Sequence, residues 1–462
     1  MWLLYIALNI SVKLFLLISL GLLFFLGQGW LVAGPILQGS LTKKNRDIPL
    51  LQEIPLMLLS GMMISYGIIM IFRSLSTSLI VEGVLSIFGL CCYGLYAFRN
   101  RTRQRLTLAS ISNWIGISVV CLLVLSPILL EPLSAWDARS IWFFHAKMIY
   151  VANSIGQSAG WQHPSIVFSH ADYPNLVPAI AAQVSRVLAF WNEYIPKLSL
   201  FYMFVPAVIW LFSFSRRSFS FAILLMLIPF SFYSSIWDGY MDGYLALYFS
   251  IAMLLLGRYI NSSQPVDMVS SICCLISLLY IKNEGVLAAI TGLCVIIWVL
   301  WLKKNYYSAK KVFMENWKHY LVGLIALIPF VIWSLNKQQW GLSNDLEIGT
   351  SQSFLRIITR LTDGSYQSVF QSSYEQLEGA FLLLGLLYFV SVINRRSLTK
   401  ASYPALIAAG IYCLGIIIVY LLTPRDLMWQ LHTSIGRTML AVNASIFVGC
   451  YFILNTLEKN QV

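Results

Sequence analysis

The chain has few charged residues. Asp, Glu, Lys and Arg make up 11% of its 462 residues, and histidine occurs five times, whereas about a quarter of a typical soluble domain is charged. Hydrophobic residues reach 58%, and many apolar runs have the length of about 20 residues that crosses a bilayer. The sequence therefore excludes an ordinary soluble domain and predicts an all-α, polytopic membrane protein.

The eight cysteines lack the spacing of a metal site or a disulfide framework. All lie in apolar runs, and two pairs, Cys91–Cys92 and Cys273–Cys274, are adjacent, whereas zinc ligands are typically about two to four residues apart. We interpret them as small buried hydrophobes. No cofactor is indicated with certainty, and a divalent metal ion remains an alternative.

The formal net charge of +12 does not indicate nucleic-acid binding, because an excess of Lys and Arg marks the cytoplasmic loops of membrane proteins. We therefore expect no nucleic-acid partner and a lipid bilayer around the chain. The basic clusters lie at residues 43–46, 99–105, 216–217, 258, 303–311 and 395–400.

About thirteen membrane-spanning helices place all of these clusters on the cytoplasmic side, with the N-terminus outside and the C-terminus inside. Residues 175–191 are then left out of the count, and we predict an interfacial or re-entrant helix there. The predicted spans are 10–36, 52–72, 77–98, 108–130, 196–214, 219–236, 241–257, 267–281, 285–302, 318–335, 377–393, 402–421 and 438–456.

We predict two parts, an N-terminal three-helix membrane segment (1–107) and a transmembrane core (108–462) with a long outer loop at 131–195. The topology brings the polar segments that are not plain Lys/Arg clusters to the outer side. They are 131–195, 237–244, 282–285, 336–376 and 423–437. This pattern predicts a single site at the outer interface, assembled from several loops.

The outer loop begins with the pair Trp136-Asp137, followed by Arg139 and Lys147. Asp137 is a candidate general base or an acceptor that orients a substrate hydroxyl; the alternative is a solvated loop acid beside an interfacial Trp anchor. Arg139 and Lys147 would bind an anionic group of the substrate or an ordinary lipid headgroup.

Further along the loop, His170, Asp172 and Tyr173 form a compact polar motif before Pro174. His and Asp could ligate a metal, but two ligands without a third are weak evidence for a metal site. A structural or substrate-contacting role is the preferred interpretation.

Two acidic residues, Asp238 and Asp242, lie four apart and would share one face of a helix beginning there. Asp238 could cap that helix. Asp242 lies further into the apolar segment and is the stronger catalytic candidate.

The segment Ile281 to Gly285 joins two apolar helices and contains Lys282 and Glu284. A tight turn needs only Asn and Gly. The two charged residues either form a local pair or bind a phosphate (Lys282) and a sugar hydroxyl (Glu284).

Before the last predicted helix lie Arg425, His432 and Arg437. The positive-inside rule predicts few Arg on the outer side, so their presence is informative. Arg437 suits bidentate binding of a lipid phosphate, with contact to a phospholipid headgroup as the alternative.

These motifs, in this order, resemble the GT-C superfamily of polytopic glycosyltransferases. The similarity is to bacterial relatives of the dolichyl-phosphate-mannose protein mannosyltransferases and the lipid A aminoarabinose transferases. It covers roughly residues 130–440 and rests on Trp136-Asp137, the motif from His170 to Pro174, Asp238/Asp242, the turn at 282–285 and Arg437. The chain departs from the pattern in three helices before the outer loop and in a Trp-Asp pair where the protein mannosyltransferases have Asp-Glu.

The resemblance implies transfer of a sugar, with inversion, from a polyprenyl-phosphate donor to a cell-surface glycan or lipid acceptor on the extracytoplasmic side. It maps the catalytic base onto Asp137 and a second acid onto Asp238 or Asp242. Basic residues would hold the donor phosphate, and the protein would lie in a bacterial inner (plasma) membrane.

Two other classes remain open. An O-antigen-type polymerase or ligase is also polytopic, with Arg and His in an outer loop, although the loop at 336–376 has no compact motif. A transporter or flippase of lipid-linked sugars would place ionisable residues near the bilayer midplane, whereas the charges here cluster at one predicted interface.

Overall fold

The computed structural model describes residues 2–41, 49–99, 108–215, 218–226, 233–304, 323–342, 344, 351–395 and 398–458. Within them the regular elements are helices, apart from an isolated bridge between Ser74 and Ser154. This confirms the predicted all-α class.

The α-helices are numbered in chain order. They are α1 (Trp2–Leu41), α2 (Leu50–Phe72), α3 (Leu75–Arg99), α4 (Leu108–Leu130), α5 (Phe143–Ala152), α6 (Leu176–Val187), α7 (Leu198–Phe212), α8 (Ser218–Met226), α9 (Tyr233–Trp237), α10 (Met241–Ser262), α11 (Pro265–Ile281), α12 (Gly285–Lys304), α13 (Ile328–Gln339), α14 (Ser351–Thr362), α15 (Tyr366–Ile393), α16 (Tyr403–Leu422), α17 (Leu427–Thr438) and α18 (Leu440–Glu458). Shorter turns include a π-helical turn at Ala138–Trp142 and 3-10 turns at Gln157–Ala159, Pro164–Ser169, Ile195–Lys197 and Lys400–Ser402.

Ten helical stretches of the described chain are long and apolar enough to cross a membrane, the last running through α17 and α18. The protein is therefore a polytopic membrane protein. The count of about thirteen spans remains a prediction: α11 has 17 residues, and the predicted spans 219–236 and 318–335 lie partly outside the described residues. The basic segments at 43–46, 100–105, 216–217 and 305–311 lie wholly outside them.

The chain forms two compact units. The first comprises Met1–Gly160, Asn175–Ser213 and Leu324–Pro329, and the second comprises Trp161–Pro174, Phe214–Gly323 and Phe330–Val462. The predicted boundary at residue 107 is not a boundary between these units, because α1, α2 and α3 share the first unit with α4, α5, α6 and α7.

In the first unit, α1 and α2 pack with their backbones in direct contact. A Cβ atom at Gly29 would lie 1.7 Å from the Met57 carbonyl oxygen, and one at Gly61 would lie 1.8 Å from that of Phe25. Small residues allow this approach between apolar helices. Any larger side chain at either glycine would push the two helices apart.

Two parts of the segment between α4 and α7 belong to the first unit, residues 131–160 and 175–197, and both are held closely against the rest of that unit. The buried Lys197 donates from Nζ to the Glu131 carbonyl oxygen and so ties the two ends of the segment together. Between these ends, the Asn175 backbone N–H donates to the Tyr66 hydroxyl at 3.3 Å, and that of Ile155 donates to the Arg73 carbonyl oxygen at 3.2 Å. Helices α2 and α3, with the turn between them, therefore support this segment.

Helix α6 corresponds to the predicted interfacial or re-entrant segment. Its 12 residues span about 18 Å, less than the hydrocarbon core of about 30 Å. Every residue from Leu176 to Ser185 is buried, whereas an interfacial helix would leave one face open to lipid. The helix is thus embedded in the protein.

A buried carboxylate connects α6 to the N-terminal helices. Glu82 of α3 accepts hydrogen bonds from Gln183 Nε2 at 2.8 and 2.9 Å and from the Ser65 hydroxyl at 2.5 Å. Relative exposures are 0% for Glu82 and 3% for Gln183. Since a buried acid is costly unless it is hydrogen-bonded, this network fixes how α6 docks.

The second unit is built around α10, whose residues Met241 to Gly257 are all buried. Helices α11, α12, α16 and α18 pack against it. Only residues 263–264 separate α10 from α11, and only 282–284 separate α11 from α12, so the three helices alternate in direction. The start of α10, the end of α11 and the start of α12 therefore lie at the same end of the unit.

Two segments predicted as outer loops are largely helical. In 336–376, helix α14 precedes α15, which begins at Tyr366, eleven residues before the predicted start of that span. In 423–437, helix α17 begins after Asp426, whose carboxylate accepts from the Trp429 backbone N–H at 2.7 Å.

The cysteine interpretation was partly wrong. All eight cysteines are free, as expected, but only Cys273, Cys274 and Cys450 are buried. Cys91 and Cys294 are exposed on the surfaces of α3 and α12, where an apolar thiol can face lipid.

Candidate functional site

The site is organised around the turn between α11 and α12, where three consecutive side chains each bind a polar partner. Lys282 Nζ lies 2.8 Å from Asp242 Oδ1. Asn283 Nδ2 donates to Asp172 Oδ2 at 2.6 Å. Glu284 Oε1 lies 3.1 Å from Lys282 Nζ. The turn therefore links the start of α10 to the segment preceding α6.

Asp242 lies in the first turn of α10 and is 6% exposed. The partial positive charge of a helix N-terminus favours a carboxylate there. The expectation that Asp238 and Asp242 share a helix face was wrong, because the chain turns at Gly239 (φ +85°) and α10 begins only at Met241. The half-buried Asp238 stays outside the helix and is not its cap, a position taken by Tyr240 without a side-chain hydrogen bond.

Arg437, near the end of α17, completes the cluster. Its Nη1 lies 3.8 Å from Asp242 Oδ2, and its guanidinium lies 4.7 Å from the centroid of the Tyr240 ring. The side chain is 29% exposed, against 6% for Asp242 and 7% for Lys282. Arg437 is therefore the more accessible of the two cations, held between a carboxylate and an aromatic face.

We call Asp242, Lys282, Glu284 and Arg437 the charge cluster. It contains two acidic and two basic side chains. Burial alone lowers the pKa of Lys282, but the carboxylates of Asp242 and Glu284 outweigh that effect and raise it above its ordinary value. The second oxygen of Glu284, Oε2, is buried and makes no hydrogen bond within the described part of the chain, so it can accept one from a ligand.

The motif at His170 to Pro174 is connected to the charge cluster by the hydrogen bond from Asn283 to Asp172. Asp172 is 4% exposed, and its carbonyl oxygen accepts from Trp333 Nε1 at 3.3 Å. Lys337 is close enough for its charge to interact with Asp172, which opposes the burial that lowers the pKa of Lys337. Asp172 thereby joins its own segment to the turn after α11 and to α13.

His170 and Tyr173 pack on each other. Their rings are stacked with centroids 5.1 Å apart, and His170 adopts a left-handed backbone conformation with φ of 51°. Beside them, Trp333 lies edge-on to Trp161 and to Trp340 at centroid distances of 5.9 and 6.0 Å. All three indoles are buried.

The remaining candidates in the second unit are on α17 and just before it. Arg425 is exposed, with its guanidinium 5.9 Å from the centroid of the Trp429 ring. His432 is exposed on α17. It lies five residues before Arg437, a separation that places the two on different faces of the helix.

Four candidates belong to the first unit. Trp136 is 65% exposed, Asp137 is half-buried, and Arg139 and Lys147 are exposed. Asp137 immediately precedes the π-helical turn Ala138–Trp142, a geometry frequent at functional sites. The buried His145 then pairs through Nδ1 with the Asn175 side-chain oxygen at 3.0 Å, which fixes α5 against α6.

Several of these contacts were not predicted. Tyr240, Asn283, Trp333 and Lys337 are polar or aromatic neighbours of the predicted residues, but no local spacing signals their partners. For Asn283 the only signal was its place between two charged residues. Among the described residues, no group of three or more His, Cys, Asp or Glu side chains could hold a metal ion.

A shallow groove along α4 is unrelated to this chemistry. It is lined by Ile111, Trp114, Ile115, Ser118, Val119 and Leu122. All six residues come from one helix and none is ionisable, which fits a lipid-facing surface.

No model of a known protein family matches the chain, and neither a curated protein nor a solved structure shows significant similarity to it. The resemblance to the GT-C superfamily therefore stays a prediction from the motifs. A function for the chain has to be inferred from the geometry of the described residues.

Proposed function

We propose that the protein is a membrane glycosyltransferase of the GT-C type. It would move a sugar from a polyprenyl-phosphate donor to a cell-surface glycan or lipid acceptor, with inversion. The observation that carries the proposal is the charge cluster, in which four ionisable residues from three segments meet where helices begin or end. Burying so many charges is costly, and a site that recognises a charged headgroup gives a reason for it.

The position of the cluster along the helices supports a site at the membrane interface. Asp242 is the second residue of α10, Lys282 directly follows α11, and Glu284 directly precedes α12. A transporter would place such residues in discontinuous helices near the midplane. The ends of spanning helices suit a headgroup whose lipid tail stays in the bilayer.

Arg437 is the proposed ligand of the donor phosphate, because its guanidinium is partly exposed and can bind two phosphate oxygens at once. Asp242, the second proposed catalytic carboxylate, positions Arg437 through an ion pair. Lys282 positions Asp242 in the same way. Glu284 would accept a hydrogen bond from a sugar hydroxyl through its buried Oε2.

Asp137 is the proposed general base. It would remove the proton of the acceptor hydroxyl as that oxygen attacks C1 of the sugar. The bond between C1 and the phosphate oxygen breaks, and the lipid phosphate leaves with the electron pair, stabilised by the cations that bind it. One glycosidic bond forms, one phosphoester bond is lost, and the proton ends on Asp137.

The remaining predicted residues are proposed to contact substrate. They are Trp136, Arg139, Lys147, His170, Asp172, Tyr173, Asp238, Arg425 and His432. The site would face the outside of a bacterial inner membrane. An impermeant thiol reagent should then label an Arg425→Cys variant in intact cells, and labelling of Arg101→Cys from outside would overturn the orientation.

The direct test incubates membranes containing the protein with a panel of polyprenyl-phosphate donors that carry different labelled sugars. We expect the wild type to transfer one of the sugars. Asp137→Asn should lower the rate at least about 10²-fold, since general-base catalysis contributes that much or more. Arg437→Lys, which keeps the charge but loses the planar fork, should chiefly raise the KM for the donor.

Three results would count against the proposal. Full activity of Asp137→Asn would remove this residue from the mechanism. Joining of whole glycan chains without single-sugar transfer would favour a polymerase or ligase. Movement of the donor across the membrane with its sugar–phosphate bond intact would favour a flippase.

A further inference from the structure

Helix α14 has an exposed apolar face and a polar face that is hydrogen-bonded to the end of α16. Phe354, Leu355, Ile358 and Leu361 recur at the spacing of a single helix face. Their exposed fractions are 65%, 61%, 46% and 51%. Four large apolar side chains on one face of a 12-residue helix form a continuous exposed strip, the kind of surface that marks an interaction site.

The opposite face is fixed to the end of α16 by two arginines. Arg356 Nε donates to the Leu422 carbonyl oxygen at 2.8 Å. Arg360 donates to the carbonyl oxygens of Tyr420, Thr423 and Arg425, the last two at 2.9 and 3.3 Å. The last carbonyls of a helix have no partner within it and attract cations, so these arginines determine which side of α14 turns inward.

This attachment also determines where α14 lies along the membrane normal. The stretch Lys400–Leu422 is one of the ten apolar helices long enough to span, so its last residues lie where the chain leaves the hydrocarbon core. At 12 residues, α14 covers about 18 Å and is too short to span. The exposed Met428 and Trp429, just beyond that end, fit the aromatic belt at membrane surfaces.

We infer that α14 is an interfacial helix that inserts its apolar face into the headgroup and acyl boundary of the membrane that the protein spans. The occupant is lipid because α14 is attached to the end of a membrane span whose own apolar residues Leu414 and Ile418 are also exposed. Both arginines are engaged with carbonyl oxygens, so insertion depends on apolar burial rather than on anionic lipid.

The test uses the full chain with its eight cysteines replaced, reconstituted in nanodiscs of a zwitterionic lipid. A nitroxide label is attached at Phe354→Cys or Leu355→Cys, and its collision rates with oxygen and with a water-soluble nickel chelate are measured. Gln352→Cys is the matched control, because this exposed polar residue lies half a turn from Phe354. Leu414→Cys marks the lipid-facing surface of the span, and far-UV circular dichroism checks that each variant keeps its helix content.

We expect the ratio of oxygen to nickel collisions at residues 354 and 355 to be several-fold higher than at residue 352 and to approach that at residue 414. Equal access of the nickel chelate at residues 352 and 354 would place the strip in water and overturn the inference. Low access of both reagents at residue 354 would mean that protein, such as a second copy of the chain, covers the strip, which would also overturn it.

Discussion

Lys282 Nζ lies 2.8 Å from Asp242 Oδ1, although 40 residues separate them in the chain. Both side chains are almost fully buried, so removal of either charge takes from the other its nearest partner. The pair therefore joins α10 to the turn after α11 and is the structural centre of the charge cluster.

Substitution of Lys282 by Met should destabilise the protein by about 3 kcal/mol, near the low end for breaking a buried pair, because Arg437 still faces Asp242. The free energy of unfolding can be measured by SDS titration in mixed micelles. The double variant Asp242→Asn/Lys282→Met removes the stranded carboxylate and should recover much of the loss. The single variant Asp242→Asn completes the cycle, and a loss in the double variant equal to the sum of the two single losses would show that the pair is not coupled.

The pH dependence of this contribution follows from the sign of the pKa shift. The pKa of Lys282 is raised, because its neighbouring carboxylates outweigh its burial. The stabilisation is therefore fully present below the ordinary lysine pKa of about 10.4 and is lost only as pH rises through the higher folded value. Thermal unfolding of wild type and Lys282→Met should differ by a constant amount from neutral pH up to about pH 9. A gap that closes within that range would contradict the assignment.

Replacement of Asn283 by Ala should cost about 1.5–3 kcal/mol, the range for a hydrogen bond to a charged group, since Asp172 loses its donor. Replacement by Asp should cost more, because two carboxylates would then face each other. The exposed Asn394, at the end of α15, provides the control: its change to Ala should alter stability by no more than about 0.5 kcal/mol. Equal stability of the two Asn283 variants would argue against direct contact with Asp172.

The Glu82–Gln183 contact predicts a rescue by a second substitution. Gln183→Leu removes two hydrogen bonds from a buried carboxylate and should destabilise by about 1–3 kcal/mol or more. Adding Glu82→Leu replaces both partners with apolar groups, so the double variant should be more stable than Gln183→Leu alone. Additive losses in the same SDS titration would refute the coupling.

The sequence predicted the spanning helices well because their signal is local. Runs of about 20 apolar residues correspond to the ten apolar helices, and Lys282 with Glu284 was recognised as more than a turn requires. Asp242, the other partner of Lys282, could not be inferred from the sequence, because no local spacing relates residues 242 and 282.

Two further features of the structure correspond to local signals in the sequence that hydropathy does not reveal. The Asp238-Gly239 dipeptide favours a turn, and the structure places a positive φ there, which separates Asp238 from α10. In α17, Leu427, Leu431 and Ile435 recur every four residues and are buried. That period predicts a helix, whereas hydropathy alone gave a loop.

The hydrogen bonds from Gln183 to Glu82 also impose an order on how the protein is made. Glu82 is synthesised 101 residues before Gln183, an interval of about 5–20 s at ordinary rates of translation. Until Gln183 has been made, the Glu82 carboxylate lacks the amide that donates two of the three hydrogen bonds it accepts from the described residues, and only Ser65 is present to donate the third. The packing of the N-terminal helices is thus completed by a segment that is synthesised after them.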